Sequence, residues 1–177
     1  MTSVVLRPWQ AGDLWILRAA NAPEMTDHLG GPETDEKVQE RHRRYLDGWV
    51  SGDSQMYSIQ LRAEAGTAAA AEAHSAGVIG FWPRTWHGEE VYETGWGVLP
   101  EFQGRGVAIA ALRELIAELR SAAESDPPMG SVHAYPSVDH PASNAICRRG
   151  GFTLLGECDF EYPPGQRMRC NDWYLPL

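Results

Sequence analysis

The chain has 177 residues, 43% of them hydrophobic and 22% charged, and a formal net charge of −9. That length suits a single domain over residues 1–177 with a sizeable core. The acidic balance argues against nucleic acid as a partner, and no apolar run approaches the roughly 20 residues of a bilayer span, which argues against a membrane one.

Val4 to Arg7 reads as a first strand, closed by Pro8. Ala11 to Ala20 reads as a short helix with Leu14, Ile16 and Leu17 inward, broken at Asn21-Ala22-Pro23. Met25 to Pro32 reads as loop, punctuated by Gly30-Gly31-Pro32. Thr34 is placed to cap a second helix with Asp35 and Glu36 in its first turn. Val38, Tyr45, Leu46 and Trp49 share one face of that helix. The run Arg41-His42-Arg43-Arg44 reads as a solvated basic face, with contact to a phosphate or an acidic partner as the alternative.

Gln55 to Arg62 alternates in the manner of a strand. The alanine-rich stretch Ala63 to Ala76 reads as an extended loop, although alanine also permits a short helix. Gly77 to Trp82 is the next strand, Pro83 to Gly88 a turn, and Val91 to Leu99 another strand. Val107 to Ala123 is the longest helix. Ala108, Leu112, Leu115 and Leu119 form its apolar stripe, and Asp126-Pro127-Pro128 ends it. Ser131 to Tyr135 is a strand and Pro141 to Arg149 a short helix stopped by Gly150-Gly151. Thr153 to Glu161 and Arg167 to Leu175 make a terminal hairpin around Pro163-Pro164-Gly165-Gln166. The order β-α-α-β-β-β-α-β-α-β-β describes a mixed α/β domain with an antiparallel front half.

Cys147, Cys158 and Cys170 are odd in number and lack CxxC spacing. They signal neither a disulfide framework nor a zinc cage, so no metal is expected and a reducing, cytoplasmic setting fits. The N-terminus lacks the shape of a signal peptide.

The most informative stretch is Trp96 to Ala108. A strand ends at Val98-Leu99, a turn follows, and Gln103-Gly104-Arg105-Gly106 opens the longest helix. The first N–H groups of a helix lack intrahelical partners, and glycines let an anion approach them. The dinucleotide pattern fails, because Ile109 stands where a third glycine is needed. No lysine followed by Ser or Thr makes a P-loop.

What remains, Gln103-x-x-Gly106-x-Ala108 after a strand, resembles the acyl-CoA signature of the GNAT N-acetyltransferase superfamily, Gln/Arg-x-x-Gly-x-Gly/Ala. Further along, Ser143 to Phe152 resembles the family's second signature, a short helix ending in Gly-Phe. The likeness covers nearly the whole chain. With Leu6-Arg7-Pro8-Trp9 at the start, it is similar to the branch that includes ribosomal-protein N-terminal acetyltransferases.

The resemblance implies the GNAT acyl-CoA N-acyltransferase fold, α/β (α+β), with a mixed six- to seven-stranded sheet flanked by about four helices. It implies acetyl-CoA as co-substrate, in a cleft where the strand ending at Leu99 splays from strand 131–135. The pantetheine arm would pair with main chain near Val98. Gln103, Gly104, Arg105, Gly106, Val107 and Ala108 would hold the pyrophosphate. His140 stands where relatives commonly carry an asparagine that contacts the cofactor arm, and Asn144, a further cofactor-binding candidate, lies one turn later. Direct attack of an amine on the thioester needs a proton acceptor, for which Glu93 leads. Counting back from Gly151-Phe152 places Cys147 where many relatives carry the tyrosine acid, and Tyr135 is a substitute donor. Glu24 and Asp27 are placed to attract a cationic amine, a small molecule or a protein N-terminus. The alternative is a non-catalytic acyl-CoA sensor on the same fold. The acceptor, the acyl length and the oligomeric state, monomer or homodimer, stay open.

Overall fold

The computed structural model describes residues 2–62, 75–125, 129–162 and 165–177. Seven strands form one sheet: β1 (Val4–Pro8), β2 (Gln55–Leu61), β3 (Ser75–Trp86), β4 (Glu89–Val98), β5 (Ser131–Ala134), β6 (Thr153–Glu161) and β7 (Arg167–Pro176). The helices are α1 (Leu14–Ala20), α2 (Pro23–Thr26), α3 (Asp35–Ser51), α4 (Val107–Ser125) and α5 (Pro141–Arg149). The spatial order is β1-β2-β3-β4-β5-β7-β6. Pairing is antiparallel throughout except between β4 and β5. The expected terminal hairpin forms, and β7 inserts itself between β5 and β6.

Alternation along the strands loads both faces. Tyr57, Ile59, Ile79, Phe81, Val132 and Ala134 meet the stripe Ala111, Leu112, Leu115 and Leu119 of α4, with Cys147 of α5 and Phe152. Met56 and Val78, on the opposite face, meet Trp9, Ile16 and Leu17 with Val38 of α3. Each fully buried Leu or Ile contributes roughly 1.5–3 kcal/mol relative to exposure.

Three expectations are corrected. The stretch Pro83 to Gly88 is not a turn. β3 runs through Pro83 to Trp86, and the turn shrinks to His87 and Gly88, with φ of 50° and 85°. A two-residue hairpin turn needs such positive φ values. Pro83 is tolerated because β2 pairs no further than Phe81, so the missing N–H costs no ladder bond on that side. The segment Met25 to Pro32 is not all loop: Pro23 opens α2, a 3₁₀ turn spans Asp27–Leu29, and Gly30 ends it at φ 89°. The basic run is not a uniform solvated face. Arg41 pairs with Glu33 and donates to the Tyr162 hydroxyl at 3.1 Å, and buried His42 accepts from Trp9 Nε1 at 3.0 Å. Ala63 to His74, the helix stop Asp126-Pro127-Pro128 and the turn residues Pro163 and Pro164 lie outside the described residues.

Candidate active site

The β4–β5 ladder holds the pairs Tyr92↔Val132 and Glu93↔His133, after which β5 ends at Ala134 while β4 continues to Val98. The two strands therefore splay. Leu99 N–H donates to Ala76 C=O, on the β3 side. Successive residues of a strand point their peptide groups to opposite edges, so Trp96 and Val98 present theirs to the splay. Gln103 Nε2 donates to Val98 O at 2.9 Å and so braces the turn against that edge.

Gly104 and Gly106 adopt φ of 71° and 78°, the left-handed region that side chains rarely enter. A Cβ at Gly104 would meet nothing within 4 Å, which leaves its backbone open. The first bond into α4 is Ala110 N–H to Gly106 O, so the N–H groups of Val107, Ala108 and Ile109 have no carbonyl of α4 to bond. Arg105 is exposed, and its carbonyl accepts from the Thr2 hydroxyl. The arrangement is a helix N-terminus of the kind that can receive an anion, with an open strand edge leading from it.

One short segment touches both sides of the splay. Met25 Cε would lie 3.9 Å from a Cβ at Gly97, and Gln103 Nε2 lies 3.2 Å from Met25 Sδ. Three residues on, the His28 ring packs at a tilt of 32° against His140, centroids 4.3 Å apart. His140 is the N-cap of α5, and its Nδ1 accepts from Ser143 N–H at 3.3 Å. Burial, followed by the neighbouring His28, pulls the His140 pKa down.

Beyond the splay, on the sheet face of Trp82, five strands deliver side chains to one place, four of them polar groups and β6 the ring of Phe160. Glu93 Oε2 accepts from Arg84 Nη1 at 2.6 Å, and the two side chains are 12% and 30% exposed. Burial pushes the Glu93 pKa up against the pull of Arg84 and a hydrogen bond from Trp82. The guanidinium of Arg84 lies 4.2 Å from the Phe160 ring centroid, 5.5 Å from Tyr135 and 5.6 Å from Trp86. Trp86 Nε1 donates to Asp172 Oδ2 at 2.8 Å, and His133 Nδ1 lies 2.6 Å from Asp172 Oδ1. Tyr135 stacks on Phe160 at 4.8 Å. Two atoms in this cluster are buried without a hydrogen-bond partner, Arg84 Nε and the Tyr135 hydroxyl oxygen. The Tyr135 pKa is raised, by burial first and then by Asp172 and Glu93.

Two sequence candidates take other places. Asn144 is buried, and its side-chain amide is fully committed. Nδ2 donates to Ser137 O and His140 O, both at 2.9 Å, while Oδ1 accepts from Asn171 at 2.7 Å and Trp173 at 2.8 Å. Two hydrogens and two lone pairs are the whole capacity of the group, so it ties α5 to β7 instead of reaching for a cofactor. Cys147 has no exposed surface, packs in the core with α4, and burial pushes its thiol up to about 12. The Gly-Phe ending of α5 is likewise a packing device. A Cβ at Gly150 would meet Leu112 Cδ2 at 2.8 Å, and Phe152 enters the core.

Arg84, Phe160 and Asp172 were not foreseen. They join the site through cross-strand position, a signal that a linear reading lacks. A cavity of about 470 Å³ lies elsewhere, lined by Arg7, Asp13, Trp15, Gln60, Ser75, Glu101 and Phe102, and none of the candidate residues lines it. Among the described residues no cluster fit for a metal ion occurs, and no helix is long and apolar enough to cross a membrane.

Residues 3–153 match the sequence pattern of the family described as acetyltransferase (GNAT) domain. No curated protein matches the chain. Among solved structures the chain is similar to a Salmonella typhimurium acetyl transferase that modifies the N-terminal serine of ribosomal protein L7/L12, at 21% identity and TM-score 0.74, over 100% of this chain and 96% of that one. The microcin C7 self-immunity acetyltransferase MccE, solved with acetyl-CoA and AMP, matches at 18% identity and TM-score 0.75, over 99% and 93%. Spermidine N-acetyltransferase from Vibrio cholerae, solved with CoA and spermine, matches at 17% identity and TM-score 0.68, over 98% and 95%. At these identities the likeness establishes a shared fold.

Proposed function

Because the chain belongs to the acetyltransferase (GNAT) domain family and carries its fold, we propose that it moves an acetyl group from acetyl-CoA to a primary amine by direct attack in a ternary complex. The observation that carries the reading is the glycine turn at Gly104 and Gly106, which opens α4 beside the free edge of β4. The turn and the first N–H groups of α4, from Gly104 to Ala108, receive the pyrophosphate, with Arg105 adding charge. The pantetheine arm runs along Trp96 and Val98 as an added strand would. Displacing the Gln103 amide from Val98 O is part of that step.

An ammonium has no lone pair, so it first gives a proton to Glu93, directly or through water. Burial has raised the carboxylate's proton affinity, which brings it nearer to that of an amine. The amine nitrogen then bonds to the acetyl carbon, the C–S bond breaks, and the proton that the nitrogen sheds on becoming an amide goes to the departing CoA thiolate. A thiol's ordinary pKa is about 8.5, below that of Tyr135, so Tyr135 keeps its proton through the transfer. Three free cysteines suit a reducing cytoplasmic setting.

A thiol-release assay with acetyl-CoA and a panel of amino acids, polyamines and peptides tests the reading. The expected result is thiol release matched by one acetylated product. Tight acetyl-CoA binding with no release over any amine would overturn transfer and leave an acyl-CoA sensor.

A further inference from the structure

We infer that the acceptor carries an anionic group beside its amine, as a free α-amino acid does, and that Arg84 is the residue that selects it. The inference rests on the transfer reading above and names the substrate class for the same site.

The pair Glu93–Arg84 is a plus and a minus side by side, 2.6 Å apart at the contact, on the face of the sheet that carries Trp82. Glu93 accepts from Arg84 at Oε2 and a further hydrogen bond from Trp82, and a carboxylate's roughly four lone-pair sites leave room for an approaching ammonium. Arg84 uses Nη1 on Glu93, and its Nε is buried with no partner. The walls around the guanidinium are the rings of Trp86, Tyr135 and Phe160, and the neighbouring Asp172 carboxylate is bonded to Trp86 and His133 rather than to Arg84. The Tyr135 hydroxyl, also buried without a partner, lies on a ring 5.5 Å from that guanidinium.

Buried donors without acceptors are rare, and each calls for an oxygen. Two such donors on adjacent side chains describe one acceptor-rich group, and a planar guanidinium fits a carboxylate better than any other side chain does. An α-amino acid carries ammonium and carboxylate on one carbon, so it faces the Glu93–Arg84 pair with both charges matched. A bare polyamine places a second cation against Arg84, which repels it. A peptide N-terminus offers a neutral carbonyl at that place, a weaker partner for a guanidinium than a carboxylate is.

The test uses the full chain with acetyl-CoA, the twenty L-amino acids, and for each its α-amide and its decarboxylated amine. Spermidine and short peptides complete the panel. The expected result is that at least one amino acid exceeds its amide and its decarboxylated amine by about 100-fold in kcat/KM. In Arg84→Gln that preference falls to within a few-fold, through KM for the amino acid, while acetyl-CoA affinity stays unchanged. Arg84→Lys restores part of it. A merely structural role would lower all acceptors in proportion, which overturns the inference. Equal or better turnover of decarboxylated amines, spermidine or peptides overturns it alone. Silence of the entire panel overturns both it and the transfer reading.

Discussion

The turn from Gln103 to Ala108 and the cluster around Arg84 are built from different material. The turn is made of backbone: two glycines at positive φ, a helix N-terminus and a strand edge, all within a dozen residues of chain. The cluster is made of side chains, with Arg84 and Trp86 from β3, Glu93 from β4, His133 from β5, Phe160 from β6 and Asp172 from β7, and Tyr135 just past β5. A backbone site depends on conformation at a few consecutive positions and tolerates change in the side chains around it. A side-chain site depends on the register of five strands, so each member is replaceable in principle, and the set as a whole decides what binds.

The sharpest way to break this contrast is Gly106→Val. Its φ of 78° is strained for a β-branched residue, at a cost of roughly 1–3 kcal/mol, and the side chain enters the space an anion would use. Acetyl-CoA affinity should fall by at least about 100-fold in calorimetry, or about 2.7 kcal/mol, in a variant that still unfolds cooperatively. An unchanged affinity would remove the pyrophosphate from this turn.

Glu93→Gln probes the other half. The rate constant kcat should drop by about 100-fold at neutral pH with acetyl-CoA affinity intact, a typical loss for a general base. Glu93 works as a base only when ionised, and burial raises its pKa. The acid limb of the wild-type profile should therefore lie above the ordinary glutamate range, and it should vanish in Glu93→Gln. Arg84→Gln deletes the cation that favours the ionised form, so its limb should move to still higher pH. A wild-type profile in Glu93→Gln would retire Glu93 as base.

Asn144→Ala separates support from contact. It strands the Trp173 and Asn171 donors, and should cost about 3 kcal/mol, roughly 6–12 °C in thermal midpoint, while acetyl-CoA affinity holds. Loss of affinity without loss of stability would return Asn144 to the cofactor. The smallest effect belongs to Cys147→Ala, about 1 kcal/mol of stability from a lost buried sulfur, with kcat and its pH profile unchanged. A lost pH limb there would reinstate the thiol as an acid.

Legibility followed the same division. Thr34 capping α3, the α4 stripe and the α5 span were readable, because capping and helical periodicity are local. The end of β3 is not legible in this way. Pro83 signals a break in one strand, but whether it breaks a sheet depends on where β2 stops. Asn144 and Cys147 were read by position in a motif, yet that position carries no record of what the neighbouring strand places against it.

The sequence by itself determined the glycine turn, the helix that follows and the packing signature that closes α5, since each is a matter of φ, capping or period within a short window. The tertiary structure alone decided that Arg84 meets Glu93 inside a ring of Trp86, Tyr135 and Phe160, and that Asn144 faces Trp173. Those contacts depend on strand register and order, set by the burial of both sheet faces at once, and no window of consecutive residues contains them.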